Sequence, residues 1–304
     1  MNAKLKNLRI LYKIIFFTLM IIFFISLKLL SSLKVLICTV AKQENKYIKE
    51  FISHYQKLNF KKIIIYDNND INGENFESIL KNEINNNFIK IINYRGFKNP
   101  QIKALNDCYE RMKYNFNWIS FFDVDEFLYI RNYTNINNFL SLPIFQKCQS
   151  ILINWKYFGD NDQLYYQPKP LNKRFNKPLN FTENKMLIKD KYFFSAAKSI
   201  VRGGLNIIWG LLPHFLNNTI NCRPDGSILN NYFSPYQHQI AYLKHYITKS
   251  TEEFIERLKR GDVLLEVNRK YIFNRINNYY FLFNRKTKKK EDLLKKYINN
   301  KFHF

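Results

Sequence analysis

The chain has 304 residues, enough for one large core or two modest ones, and an apolar share of 46% excludes a disordered protein. Its 48 basic residues against 24 acidic ones give a formal charge of +24. That charge fits a solvated lysine surface, an anionic membrane face or phosphate-bearing ligands. The chain lacks an arginine-rich recognition helix, a zinc-finger spacing and an RNP-type aromatic motif, so no nucleic acid is expected as a partner.

The amino terminus places Lys4, Lys6, Arg9 and Lys13 before the uncharged run "IIFFTLMIIFFISL", residues 14–27. The run is apolar on all sides, unlike an amphipathic surface helix. As a helix it reaches about 21 Å, short of a hydrocarbon core of roughly 30 Å. Extended to residues 10–30 it spans, with Lys13 and Lys28 snorkelling to the headgroups. No small-residue cleavage site follows, so residues 1–33 read as an uncleaved membrane anchor, single-pass or monotopic, with a buried core helix as the alternative. The positive flank favours a cytoplasmic start. A true span then carries the remainder across the membrane, whereas a monotopic insertion leaves it in the cytoplasm.

From residue 34 apolar runs alternate with helical patterns. "KVLICTV" (34–40), "KKIIIYD" (61–67), "NFIKIINY" (87–94) and "NWISFFD" (117–123) read as buried strands. Helices are expected over 45–58, 74–85 and 100–114. This order predicts an α/β fold with a mostly parallel sheet, whose ligands bind beyond the carboxyl ends of the strands. Further strands are expected within 148–162 and 197–204, and a helix over 249–262, where Ser250 and Glu253 make a capping box and Gly261 marks the end. Residues 34–265 read as one catalytic domain and 266–304 as a basic tail. Cys38, Cys108, Cys148 and Cys222 form no CxxC pair, which argues against structural zinc. Cys38 and Cys108 read as buried thiols, with disulfides left open.

The stretch "NWISFFDVDEFLYI" gathers Asp123, Asp125 and Glu126 at the end of a strand. In an extended chain Asp123 and Asp125 point to one side, where two like charges repel by roughly 1 kcal/mol in water and several-fold more at a protein edge. A divalent cation turns that repulsion into attraction, and hard carboxylate oxygens suit Mg²⁺ or Mn²⁺. Such an ion leaves coordination positions that a diphosphate fills. The alternative is a solvated acidic turn.

The segments "ICTVAKQENKYIKEFISHYQKLNFKKIIIYDNND" and "QIKALNDCYERMKYNFNWISFFDVDEFLYI", with "INWKYFGD", "KSIVR", "PHF" and "HYITKSTEEFIERLKRGD", resemble the glycosyltransferase family 92 domain and related family 2-like enzymes. The resemblance runs from about residue 35 to 262. It implies a GT-A fold, a nucleotide-sugar donor such as a UDP-sugar, and an inverting transfer to a glycan or lipid-linked acceptor. Carried over, Asp123 and Asp125 match the metal-binding DxD. Thr39, Lys42 and Glu44 match the segment near the donor nucleotide, and Asp67 the acidic residue near its base or ribose. Gln101, Asn106 and Asp107 fall in the family's helix before the DxD strand, where helix capping is an equal reading. The chain departs from the family where "FGDND" replaces "FGxSG" and where His214 stands in place of a histidine pair.

An inverting transfer needs a carboxylate to take the acceptor proton. Asp160, with Asp162 next, is the candidate base after the strand through "NWKYFGD", with Gly159 allowing a tight turn. His245 and His214 are candidate further metal ligands. Lys198 and Arg202 are candidate phosphate partners. Trp155 and Tyr157 offer sugar-stacking rings or core packing. The expected protein is a membrane-associated, metal-dependent inverting glycosyltransferase. Its rivals are a non-catalytic nucleotide-sugar- or carbohydrate-binding protein of the same fold and a basic nucleic-acid-binding protein.

Overall fold

The computed structural model describes residues 13, 15–18, 20, 33–98, 100–179, 197–207, 213–230, 237–261 and 269–302. The chain divides into two compact units, Met1–Leu33 and Lys34–Phe304. In the first, Lys13, residues 15–18 and Met20 are helical. The rest of the expected anchor lies outside the described residues. No helix among the described residues is long and apolar enough to cross a membrane.

Among the described residues the second unit is built on a mixed sheet of ten strands. Its first half follows the alternation of the sequence: β1 (Val35–Ala41), β2 (Lys62–Asp67), β3 (Ile89–Asn93) and β4 (Trp118–Phe121). All three pairings, β3 to β2, β2 to β1 and β1 to β4, are parallel. β1, β2 and β4 are apolar runs buried along nearly their whole length, which is why they carry no polar alternation, whereas the edge strand β3 exposes Lys90 and Asn93. Helix α1 (Ile48–Lys57) buries Ile48, Phe51, Ile52 and Tyr55. Helix α2 (Gln101–Met112) buries Ala104, Leu105, Cys108 and Tyr109 against Leu36, Cys38, Ile64 and Ile119. The helix expected over 74–85 is two short ones, Phe76–Ile79 and Lys81–Asn85.

The second half turns antiparallel. After β4 come β5 (Glu126–Ile130), β6 (Ser150–Tyr157), β7 (Ala197–Arg202), β8 (Asn221–Cys222), β9 (Ile228–Leu229) and β10 (Ala241–His245). The order across the sheet is β3-β2-β1-β4-β7-β6-β10-β5, with β8 beside β6 and β9 beside β8. β7 runs antiparallel to both β4 and β6, β10 is parallel to β6, and β5 closes antiparallel on β10. β6 and β10, being parallel, bring the loops after Tyr157 and His245 to one edge. Gly203, just past β7, is held there by close approach, since a Cβ would lie 2.0 Å from the Phe116 carbonyl oxygen.

Three expectations are corrected. Cys38 and Cys108 are not thiols but a disulfide joining β1 to α2, and Cys148–Cys222 forms a second one at the start of β6. The chain is not extended through Asp123 and Asp125. Glu126 N donates to the Asp123 carbonyl at 3.0 Å and Asp123 N donates to Glu126 Oε2 at 3.0 Å, which folds the segment into a turn between β4 and β5. Residues 269–302, read from sequence as part of a tail, are packed into the domain. After α3 (Thr251–Arg260), whose capping box is present in both halves, comes α4 (Arg269–Arg275), and later α5 (Lys288–Phe302). Ile272, Ile276, Tyr279, Tyr280, Phe283, Leu294 and Tyr297 share one buried cluster with Phe254, Leu258 and Tyr157.

Candidate active site

The acidic turn sits where β4, β7, β10 and the start of α3 converge. Its three carboxylates face different partners. Asp123 keeps 39% of its side chain exposed and accepts from Lys198 Nζ at 2.7 Å. Asp125 is buried, with Arg257 at 3.3 Å, Lys249 at 3.7 Å and His245 Nε2 at 3.7 Å. Burial opposes its ionisation, yet Lys249, His245 and Arg257 hold its carboxyl well below the usual range. Glu126 is fully buried, and burial, seconded by Asp123 and Asp125, pushes its carboxyl well above the usual range against the pull of Lys198.

Asp125, Glu126 and His245 form the one group among the described residues that offers three ligand atoms within 4.8 Å of one another. Two atoms there are buried and make no hydrogen bond, Glu126 Oε1 and His245 Nδ1. Unsatisfied buried polar atoms are costly, so a pair of them at a charged turn is an argument for a missing ligand. Two carboxylates and one imidazole suit Mn²⁺ or Mg²⁺, so the residues fit a divalent ion. Asp123 and His214 stand outside this group. The His214 ring packs on Trp155 at 5.5 Å and its Nδ1 bonds the Ala197 carbonyl at 2.7 Å.

Backbone strain marks the same edge. Among the described residues eight non-glycine residues have left-handed φ, and five are asparagines, which tolerate it. The other three, Gln43, Asp162 and Lys249, all lie in loops after the carboxyl ends of β1, β6 and β10. Each such conformation costs on the order of 1 kcal/mol and persists where surrounding structure imposes it. Lys249 is the most telling, since its buried ammonium lies 4.6 Å from the Tyr47 ring centroid as well as facing Asp125.

Thr39, Lys42, Glu44 and Asp67 cluster at the ends of β1 and β2, where Ala41 and Asp67 are register partners. Thr39 is buried with Oγ1 unbonded among the described residues. Glu44 pairs with Arg260, leaving Oε2 unbonded, and Lys42 pairs with Asp70 at 2.8 Å. Asp67 is held by Arg95 at 2.9 Å and Asn69 at 2.7 Å. Gln101 opens α2, and Asp107 accepts from Tyr66 at 2.6 Å.

The two carboxylates after β6 are turned toward the carboxyl-terminal helices. Asp160 is buried, its Oδ2 accepting from Tyr280 at 2.6 Å and Lys290 at 2.8 Å, its Oδ1 from Asp162 N at 2.9 Å. Gly159 permits this, since a Cβ would lie 2.7 Å from Asn284 Oδ1 and 2.8 Å from the Phe283 carbonyl. Asp162 leaves 60% of its side chain exposed and shares Lys290 at 2.8 Å, which holds its carboxyl below the usual range. Arg202 serves packing, stacking on Trp118 at 4.4 Å and donating to the Cys148 carbonyl. Tyr157 is core, whereas Trp155 is half-buried with its ring 4.5 Å from that of His245.

Sequence reasoning missed Glu126 as a member of the ligand group and missed Lys249 and Arg257. Lys249 directly precedes the N-cap of α3, and Arg257 lies near its end, so the helix that was legible carries both.

The sequence profile of glycosyltransferase family 92 matches residues 33–299. The chain belongs to glycosyltransferase family 92. Among curated proteins, a family 92 glycosyltransferase of Arabidopsis thaliana is 28% identical over 133 residues. Those residues are 41% of this family 92 chain and 21% of the plant protein, so the match spans about a fifth of that relative. Among solved structures, TarS of S. aureus matches with a TM-score of 0.40 at 15% identity, over 89% of this chain and 44% of TarS. TarS 1–349 in complex with UDP matches at the same score, over 86% and 77%. At such scores the likeness is a loose one of chain path, and no ligand or chemistry transfers from it.

Proposed function

We propose that the chain is a metal-dependent, inverting glycosyltransferase of GT-A type, moving a sugar from a nucleotide-diphosphate donor, such as a UDP-sugar, to a glycan or lipid-linked acceptor at a membrane. The observation that carries this reading is the buried Asp125–Glu126–His245 group at the carboxyl edge of the sheet in a family 92 chain. Asp125, Glu126 and His245 would hold Mn²⁺ or Mg²⁺, which when bound supplies positive charge to the leaving diphosphate.

The chain's own residues do the rest. Thr39, Lys42, Glu44, Asp67 and Gln101 receive the nucleotide beyond β1 and β2. Lys249 and Arg257 face the diphosphate side of the turn as fixed cations, worth most where water is excluded. The half-buried Trp155 ring offers an apolar face to the acceptor sugar. Asp160 is held by Tyr280 and Lys290, so the proton of the acceptor hydroxyl falls to Asp162, whose carboxylate keeps an exposed edge.

The test is a panel of nucleotide sugars with Mn²⁺, read by release of the nucleoside diphosphate, for wild type, Asp125→Asn and Asp162→Asn. Asp125→Asn is expected to lose at least 100-fold in kcat/KM. Asp162→Asn is expected to lose at least 100-fold in transfer to acceptor. Equal turnover by Asp125→Asn and wild type would sink the assignment.

A further inference from the structure

Lys198 is an unusual occupant of an acidic turn. It rises from β7, 1% exposed, with Nζ 2.7 Å from Asp123 Oδ2 and 3.6 Å from Glu126 Oε1. The second of these is the buried oxygen that makes no hydrogen bond. Lys198 is held from behind by register, opposite Ile153 of β6, with the Trp155 ring centroid 6.0 Å from its ammonium. A β-strand lysine so enclosed has few rotamers in which to retreat. Around the turn Lys198, Lys249 and Arg257 face Asp123, Asp125 and Glu126.

We propose that Lys198 is a resident counter-cation that occupies Asp123, keeps it out of the metal's coordination, and weakens divalent binding at Asp125, Glu126 and His245 until a donor diphosphate brings further negative charge. The inference rests on the metal-dependent reading above. Its physical basis is like-charge repulsion in a site of low dielectric, where an ammonium beside Glu126 Oε1 opposes any second cation on that oxygen. Lys198 acts through Asp123 and Glu126 rather than on the sugar, and is a positioning residue. Metal and donor are thereby coupled, because the donor's charge offsets the repulsion that Lys198 imposes.

The experiment measures free Mn²⁺ by electron paramagnetic resonance during titration of the full chain, with and without UDP. Lys198→Met alone strips both carboxylates of their partner and risks misfolding. The double variant Lys198→Met/Asp123→Asn keeps the charge balance. Without UDP it is expected to bind Mn²⁺ at least tenfold more tightly than wild type, while Lys198→Arg stays within twofold. UDP is expected to tighten Mn²⁺ binding at least tenfold in wild type and less in the double variant. Addition of His245→Ala to the double variant is expected to remove the gain. Binding by the double variant equal to or weaker than wild type would overturn the inference, because Asp123 would then be a ligand in its own right. This readout needs no turnover. Failure to transfer sugar with the expected Mn²⁺ behaviour strikes the proposed function alone, and the converse result strikes this inference alone.

Discussion

The pair Asp160–Lys290 separates a catalytic reading of Asp160 from a structural one. Both side chains are nearly sealed from solvent, at 4% and 1% exposure, and their heavy atoms lie 2.8 Å apart. Removal of one member of such a buried pair costs roughly 3–5 kcal/mol, because the other charge is left uncompensated. In Lys290→Met, Asp160 still accepts from Tyr280 and from Asp162 N, so the lower end, about 3 kcal/mol, applies. At roughly 2.1 cal/mol/K per residue, a unit of this length loses about 5 °C in Tm for that amount. Asp160→Asn leaves Lys290 bonded to Asp162 and the Arg285 carbonyl, so about 1–2 kcal/mol is expected. The double variant should fall short of the sum by about 2 kcal/mol, the signature of direct coupling. Calorimetry with urea titration measures all three, and nucleotide-sugar turnover by Asp160→Asn is measured alongside. A Tm loss below 2 °C for Lys290→Met, or a 100-fold loss of kcat in a stably folded Asp160→Asn, would refute the reasoning and return Asp160 to the role of base.

Two further outcomes follow from buried groups outside the acidic turn itself. Burial lowers His54 to a pKa of about 4, against the ordinary 6.5, although its Nε2 donates to the Leu128 carbonyl at 2.9 Å. Its contribution to stability is therefore complete above pH 6.5 and is lost as pH falls toward 4. The loss amounts to about 2–3 kcal/mol, and His54→Gln should flatten the stability–pH curve by that amount in urea titrations. An unchanged slope would show that His54 titrates normally in the folded state. The Cys148–Cys222 bridge closes a loop with a sequence separation of 74, so Cys148→Ser/Cys222→Ser should cost about 4 kcal/mol in the chain-entropy account. A change under 1 kcal/mol would mean that the bridge does not constrain the unfolded chain.

The parallel half of the sheet was legible because β1, β2 and β4 are nearly continuous apolar runs, and such runs arise where helices cover both faces. The capping box at Ser250 was legible because it is a local exchange of hydrogen bonds three residues apart. β5 and β10 were not. Each is five residues long and pairs with a strand more than a hundred residues away, so turn chemistry gives no clue to the register. The acidic turn was legible as a concentration of charge, but not the division of labour within it. That division depends on Lys198, Lys249 and Arg257, which reach the turn from two other elements. Asp160 looked available because its neighbours in sequence form a polar loop. Its real partners, Tyr280 and Lys290, arrive from helices about 120–130 residues later.

The two sulfur bridges bear on where this polypeptide matures. Bonded pairs that staple β1 to α2 and β6 to β8 persist in the secretory lumen, the periplasm or outside the cell, and are kept reduced by glutathione and thioredoxin in most cytosols. Lys34 onward therefore calls for an oxidant during folding, and a strongly reducing medium would leave the four sulfurs as thiols and the strands joined by hydrogen bonds and packing alone.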